Sequence, residues 1–189
     1  MTSQKLVGVD EVGRGCLAGP VISAAVMLEN NIDTSCLKDS KEISPKNRVK
    51  LAEYILNNSI SVGIGFCSNI IIDKINIHEA TLLSMKKSIL ALSKSPDLIL
   101  IDGKFSPDVK YKCNTYIKGD QRIPEISAAS IVAKVIRDNY MSRIDNVFDT
   151  YKFSQHKGYG TKEHIGIIEK LGPSIYHRMS FAPLKDMFR

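Results

Sequence analysis

Residues 6–21, LVGVDEVGRGCLAGPV, constrain this chain more than any other stretch: an apolar run stops at two adjacent carboxylates and passes straight into a glycine-rich turn. Leu6, Val7 and Val9 read as a short buried strand, which puts Asp10 and Glu11 at its carboxyl end, where open α/β sheets carry their chemistry. Acids this close raise each other's pKa. The usual remedy is a divalent cation, since magnesium favours carboxylate oxygens and keeps several of its waters. For the pair taken alone, an exposed Asp-Glu turn is the plainer alternative. The following Gly13-Arg14-Gly15 sharpens the choice. Glycine accepts positive φ and has no Cβ to hold a ligand away, so backbone N–H and carbonyl groups can meet a phosphate or a sugar hydroxyl.

The pattern of an apolar strand closed by an acid returns twice. Residues 97–102 (DLILID) end at Asp102, and a strand predicted over 111–118 leads to Gly119-Asp120. Acids delivered to separate strand ends suggest one convergent site, against the alternative that Asp is merely a favoured turn residue. Strands are also predicted over 20–28 and 60–67, where Gly63 and Gly65 leave room for a close neighbour. A helix starts at Ser44-Pro45 and runs to about 57. A short helix over 69–75 precedes a longer one, capped by Asn76, to about 92. The helix over 123–148 presents Ala128, Ala129, Ser130 and Ala133 as a small-residue face, and a last helix covers 161–170. Asp138, mid-helix, reads as paired with Arg or exposed, and stays outside the metal set. Three strands before the first long crossover imply a mixed α/β sheet of about five strands flanked by helices, with a helical extension from about 151.

At 189 residues the chain is expected to be one domain. Its 26 Lys+Arg against 20 Asp+Glu give +6, which suits an anionic partner but is equally a solubility device. The segment 151–159, with Lys152, His156, Lys157 and three aromatics, has the make-up of a loop that touches a nucleic-acid backbone. No apolar run approaches the roughly 20 residues of a membrane span and no signal-peptide core follows the first residues, so the expected location is cytoplasmic, with no membrane partner. Cys16, Cys36, Cys67 and Cys113 are scattered and read as reduced thiols. His78, His156, His164 and His177 fall at irregular spacings and read as hydrogen-bonded or exposed rather than as metal ligands.

DEVGRGCLAGPV resembles the signature of ribonuclease HII, the type 2 ribonuclease H of bacteria. The likeness continues in order through Asp39-Ser40-Lys41, residues 99–103 (ILIDG), Lys118-Gly119-Asp120, residues 127–138 (SAASIVAKVIRD), 156–164 (HKGYGTKEH) and 177–183 (HRMSFAP). Cys16 stands where relatives often carry Pro or another small residue, and the sister ribonuclease HIII bears Lys where this chain has Arg14. The resemblance implies a ribonuclease H-like fold and an endonuclease that cleaves RNA in RNA–DNA hybrids and cuts 5′ to a single ribonucleotide in duplex DNA, with 3′-hydroxyl and 5′-phosphate products. It implies two divalent ions, Mg2+ or Mn2+, held by Asp10, Glu11, Asp102 and Asp120, with Asp10 bridging. Gly13, Arg14, Gly15 and Tyr159 would recognise the ribose, and Lys41 and Lys157 the phosphates. A monomer without an obligate protein partner is expected. Another two-metal nuclease of the same fold and a non-catalytic basic RNA-binding module are the alternatives; the second is disfavoured by four acids set against a polyanion.

Overall fold

The apolar run at the start becomes strand β1 (Leu6–Val12), and β2 (Val21–Leu28) returns antiparallel beside it, with Val9 opposite Ala25. The computed structural model describes residues 4–37 and 44–188. Helix α1 (Pro45–Asn57) opens on Ser44, whose side chain accepts from the Asn47 N–H, with Pro at the first turn as its fixed φ favours. Then come β3 (Ser59–Cys67), α2 (Asn69–Leu90), β4 (Leu98–Asp102) and β5 (Cys113–Tyr116). The sheet order is β3-β2-β1-β4-β5, antiparallel among the first three strands and parallel from β1 to β4 to β5. Helices α3 (Pro124–Asp145), α4 (Phe153–His156), α5 (Lys162–Leu171) and α6 (Leu184–Met187) complete the described chain.

The pleat sorts the core into two layers, because successive side chains leave a strand on opposite faces. Ala24, Val26 and Leu28 of β2 pack with Ala52 and Ile55 of α1 and with Ala128, Ala129, Ile131 and Val132 of α3. Ala25 and Met27 face the other way, joining Val7, Val9, Ile99 and Ile101 against Met85 and Ile89 of α2. Burying each such aliphatic side chain contributes about 1.5–3 kcal/mol, which fixes the register of the central strands. A Cβ at Gly63 or Gly65 would run into the carbonyls of Ser88 and Ser84, so these glycines are what lets α2 lie close on β3.

The expected break at Asn76 is present. Its φ of 67° interrupts α2, and its side-chain oxygen accepts from the N–H groups of His78 and Glu79, capping the second half. One expectation needs correction. The strand foreseen over 111–118 is confined to Cys113–Tyr116, because Lys118 adopts the left-handed conformation (φ 55°) and Gly119–Gln121 form a 3-10 turn. Asp120 therefore sits on that turn rather than at a strand end.

Candidate active site

Asp10 and Glu11 occupy the last positions of β1 before its final valine and leave the strand on opposite faces. Asp10 follows Gly8 toward α3, where the Ser130 hydroxyl bonds its carboxylate. Glu11 follows Val7 and Val9 toward α2 and lines a small cleft with Arg14, His78, Thr81, Asp102 and Phe105. The parallel register, with Val9 beside Ile101, brings Asp102 level with Asp10. Asp102 in turn accepts the Gly119 N–H at 2.7 Å, so the turn carrying Asp120 is pinned to it. Asp120 itself is buried and faces a cavity of about 270 Å³ with Thr34, Leu37 and Ser127. The structure thus gathers Asp10, Glu11 and Asp102, with Asp120 one linkage away.

Burial pushes the Asp10 carboxyl well above the usual range, and the Glu11 and Asp102 charges push it further, opposed by Ser130 and by the Glu11 N–H that donates to it at 2.8 Å. Glu11 is also raised, chiefly by burial, against the pull of Arg14, whose guanidinium lies 3.5 Å away. Among the described residues no three His, Cys, Asp or Glu side chains close around one ion position. Yet three carboxylates that repel one another, one of them buried, with the half-exposed Arg14 in partial compensation, form the donor set a hard divalent cation suits.

The Gly13–Gly15 turn lies against two arginines, Arg137 and Arg178, whose role no sequence pattern marks. Arg178 is fully buried and donates to the carbonyls of Gly13 (2.7 Å), Arg14 (2.9 Å) and Gly19 (3.0 Å). In a trans peptide the N–H points opposite to the C=O, so the amides of Arg14 and Gly15 face away from Arg178, on the exposed side of the turn. Arg137, also fully buried, donates to Pro20, Ala18 and Lys157 carbonyls at 2.8–3.0 Å. Gly13 is required on two counts, a φ of 94° and an Arg137 side chain where a Cβ would stand. An arginine inside a helical pattern reads as solvated, and only burial reveals otherwise.

Tyr159 meets this turn directly. Cys16 and Tyr159 form an isolated antiparallel bridge, and the phenol donates to the Cys16 sulfur. The ring lies under the Lys134 ammonium (5.5 Å) and the Arg137 guanidinium (5.9 Å). Burial raises the Tyr159 hydroxyl further above neutrality, so it remains a donor. Lys157 is turned the other way, its ammonium bonded to the Ser142 hydroxyl at 2.6 Å. Asp138 pairs with Lys134 at 2.8 Å rather than with Arg, away from the acids. Lys41, with the rest of Asp39-Ser40-Lys41, lies outside the described residues.

The mixed five-stranded sheet flanked by helices is of the ribonuclease H-like class, and solved structures share this fold. The ribonuclease H2 from Pyrococcus horikoshii OT3 matches with a TM-score of 0.82 over 97% of both chains, at 21% identity. The Mn2+ complex of Bst-RNase HIII matches at 0.76 over 97% of this chain and 68% of that one, at 18% identity. Sequence narrows the class: the family model for ribonuclease HII matches residues 7–184, and the ribonuclease HII of Pelagibacter ubique (strain HTCC1062) is 51% identical over 183 residues, 96% of this chain and 98% of that protein. The chain belongs to the ribonuclease HII family and is a ribonuclease H endonuclease, a hydrolase.

Proposed function

We propose that the enzyme hydrolyses the RNA strand of RNA–DNA hybrids and cuts on the 5′ side of single ribonucleotides in duplex DNA, leaving 3′-hydroxyl and 5′-phosphate ends. The observation that carries this reading is the seam between Cys16 and Tyr159, which brings Tyr159 against the glycine-rich segment that follows Asp10 and Glu11 at the end of β1. Asp10, Glu11, Asp102 and Asp120 would hold two divalent ions, Mg2+ or Mn2+. When bound, such ions supply an activated water and stabilise charge on the phosphate and on the departing 3′-oxygen. Support for a divalent ion comes from the donor set itself and from the Mn2+ complex of Bst-RNase HIII.

The remaining work falls to residues that read the sugar. Only the 2′-hydroxyl separates ribose from deoxyribose, and it both donates and accepts. The outward amides of the Gly13–Gly15 turn offer it donors. The Tyr159 hydroxyl rests on a thiol sulfur, a weak acceptor, so exchanging that partner for a 2′-oxygen costs little. Its ring would then pack on the deoxy sugar that follows. Arg14, beside Glu11, orients the turn against the acids.

The test is cleavage-site mapping on duplex DNA carrying one ribonucleotide, with and without Mg2+ or Mn2+. The expected product ends in a 3′-hydroxyl one nucleotide before the ribose, and only when the ion is present. Scission on the 3′ side, or equal cutting of duplex DNA with no ribonucleotide, would overturn the reading.

A further inference from the structure

The segment HRMSFAP lies far from the acids in the chain, yet its first two residues are buried at the recognition surface. His177 pairs with Ala18 in an isolated antiparallel bridge, and the Arg178 N–H donates to Leu17. Arg178 holds the carbonyls of the Gly13–Gly15 turn, as described. His177 points into a cluster of imidazoles. Its Nδ1 accepts from the Ser174 N–H at 2.8 Å, so its proton sits on Nε2. That Nε2 lies 3.0 Å from His164 Nε2, which must therefore accept. The remaining His164 proton is on Nδ1, 2.9 Å from the Tyr159 carbonyl oxygen. His156 stacks on His164, with ring centroids 3.9 Å apart, and its Nδ1 accepts the Gly158 N–H. An N–H at one end and a carbonyl at the other thus fix every tautomer in the row.

We propose that His164 and His177 are positioning residues for ribose recognition: the His177–His164 relay fixes the peptide of Tyr159, and through the neighbouring Arg178 the same dipeptide fixes the facing Gly13–Gly15 turn. The inference rests on the reading of Tyr159 and that turn as the 2′-hydroxyl sensor. Tyr159 stands between Gly158 and Gly160, and its carbonyl accepts from the Thr161 N–H (2.8 Å) as well as from His164 (2.9 Å); the imidazole is the side-chain member of this anchor, which leaves the phenol free to change partner. A displacement of about 1 Å at a reacting centre lowers rate by roughly 10²-fold, so an anchor one peptide away has leverage without touching substrate.

The experiment compares kcat/KM on duplex DNA with one ribonucleotide against kcat/KM on continuous RNA–DNA hybrid. The variants are Tyr159→Ala, His164→Phe, His177→Phe and His164→Asn. Each phenylalanine keeps an aromatic ring, somewhat larger than imidazole, and removes the relay. Asn at 164 keeps an N–H near the Nδ1 position, facing Tyr159. Tyr159→Ala is expected to lower the ratio, each Phe variant to lower it roughly tenfold, and His164→Asn to restore most of it. On the Tyr159→Ala background, His164→Phe should lower the ratio no further, as a residue acting through Tyr159 requires. If one Phe variant does not fold, the other decides. A shifted ratio for Tyr159→Ala with unchanged ratios for the folded Phe variants overturns the relay while leaving the sensor standing. So does an equal further fall on the Tyr159→Ala background. An unchanged ratio for Tyr159→Ala itself overturns the sensor and the relay with it.

Discussion

Asp10 is more costly to ionise in the folded chain than in the unfolded one, since burial and the Glu11 and Asp102 charges all raise its pKa. A carboxyl raised in this way contributes stability at low pH that is lost as pH rises through the ordinary carboxylate range toward its folded value. At neutral pH without divalent ions, Asp10→Asn should therefore stabilise the protein. A gain of about 1.4 kcal/mol for each unit of pKa removed corresponds to roughly 2–4 °C in Tm per kcal/mol for a chain of this size. The same variant, and Asp102→Asn, should lower turnover by about 10²-fold or more, the scale expected when a group stabilising the transition state is lost. Calorimetry of the ion-free protein together with hybrid cleavage in Mg2+ checks both halves; near-normal turnover in both variants would remove these acids from the centre. Lys157 gives a third measurement at this scale. If its ammonium leaves Ser142 to meet a substrate phosphate, Lys157→Ala should reduce the slope of log affinity against log salt by about 1. An unchanged slope would make Lys157 only a tie to α3.

Helix α3 acts as one unit through a single stripe. Ser130, Lys134, Arg137 and Met141 follow at helical spacing, and they meet Asp10, Tyr159, the carbonyls of residues 18, 20 and 157, and Ala18 in turn. Arg137→Met keeps the stem but leaves three carbonyls without their charged donor. The expected loss is about 3–5 kcal/mol, read as a lower urea midpoint. A loss under about 1 kcal/mol would show that water replaces the guanidinium. Much of this element was legible beforehand: the helical pattern and the small-residue face both appear in the structure. β1 and β4 were legible as apolar runs ending in acids, and β2 and β3 were expected close to their observed bounds, whereas the last strand was expected too long. The burial of Arg137 and Arg178 and the clustering of His156, His164 and His177 were not legible, because the arginines' partners are backbone carbonyls from distant loops and the imidazoles meet only in the folded chain. Asp120 was expected at a strand end and stands on a turn instead. A left-handed Lys118 is a conformation that sequence seldom betrays, and it replaced a strand end with a turn.

At the scale of the whole molecule, buried imidazoles set the response to acid. Burial presses His164 and His177 down to about 4 from 6.5, with neighbouring imidazoles adding to it. Between those values the unfolded chain binds protons that the folded chain refuses, so stability falls as pH drops from about 6.5 toward 4. The loss for His177 alone is on the order of 2–3 kcal/mol. Urea midpoints taken from pH 7 to pH 4.5 should decline, and the double variant with Phe at 164 and 177 should show a flatter profile; an identical decline would place the titrating groups elsewhere. Among the described residues no helix is long and apolar enough to cross a membrane.

The hydrogen bond from Arg178 to Gly13 spans 165 positions of chain. Synthesis from the amino end delivers Asp10, Glu11, Asp102 and Asp120 long before it delivers Arg178, and the turn beside the first two acids waits for that guanidinium. If that turn reads the sugar as proposed, a polypeptide still being made would have its acids in hand and no settled means of telling one sugar from another, and selectivity would arrive only once Arg178 is in place. Translation arrested before residue 177 offers the comparison: ion uptake by the nascent acids should precede any preference for ribose over deoxyribose. Preference already present at that stage would show that the turn sets itself without help from downstream.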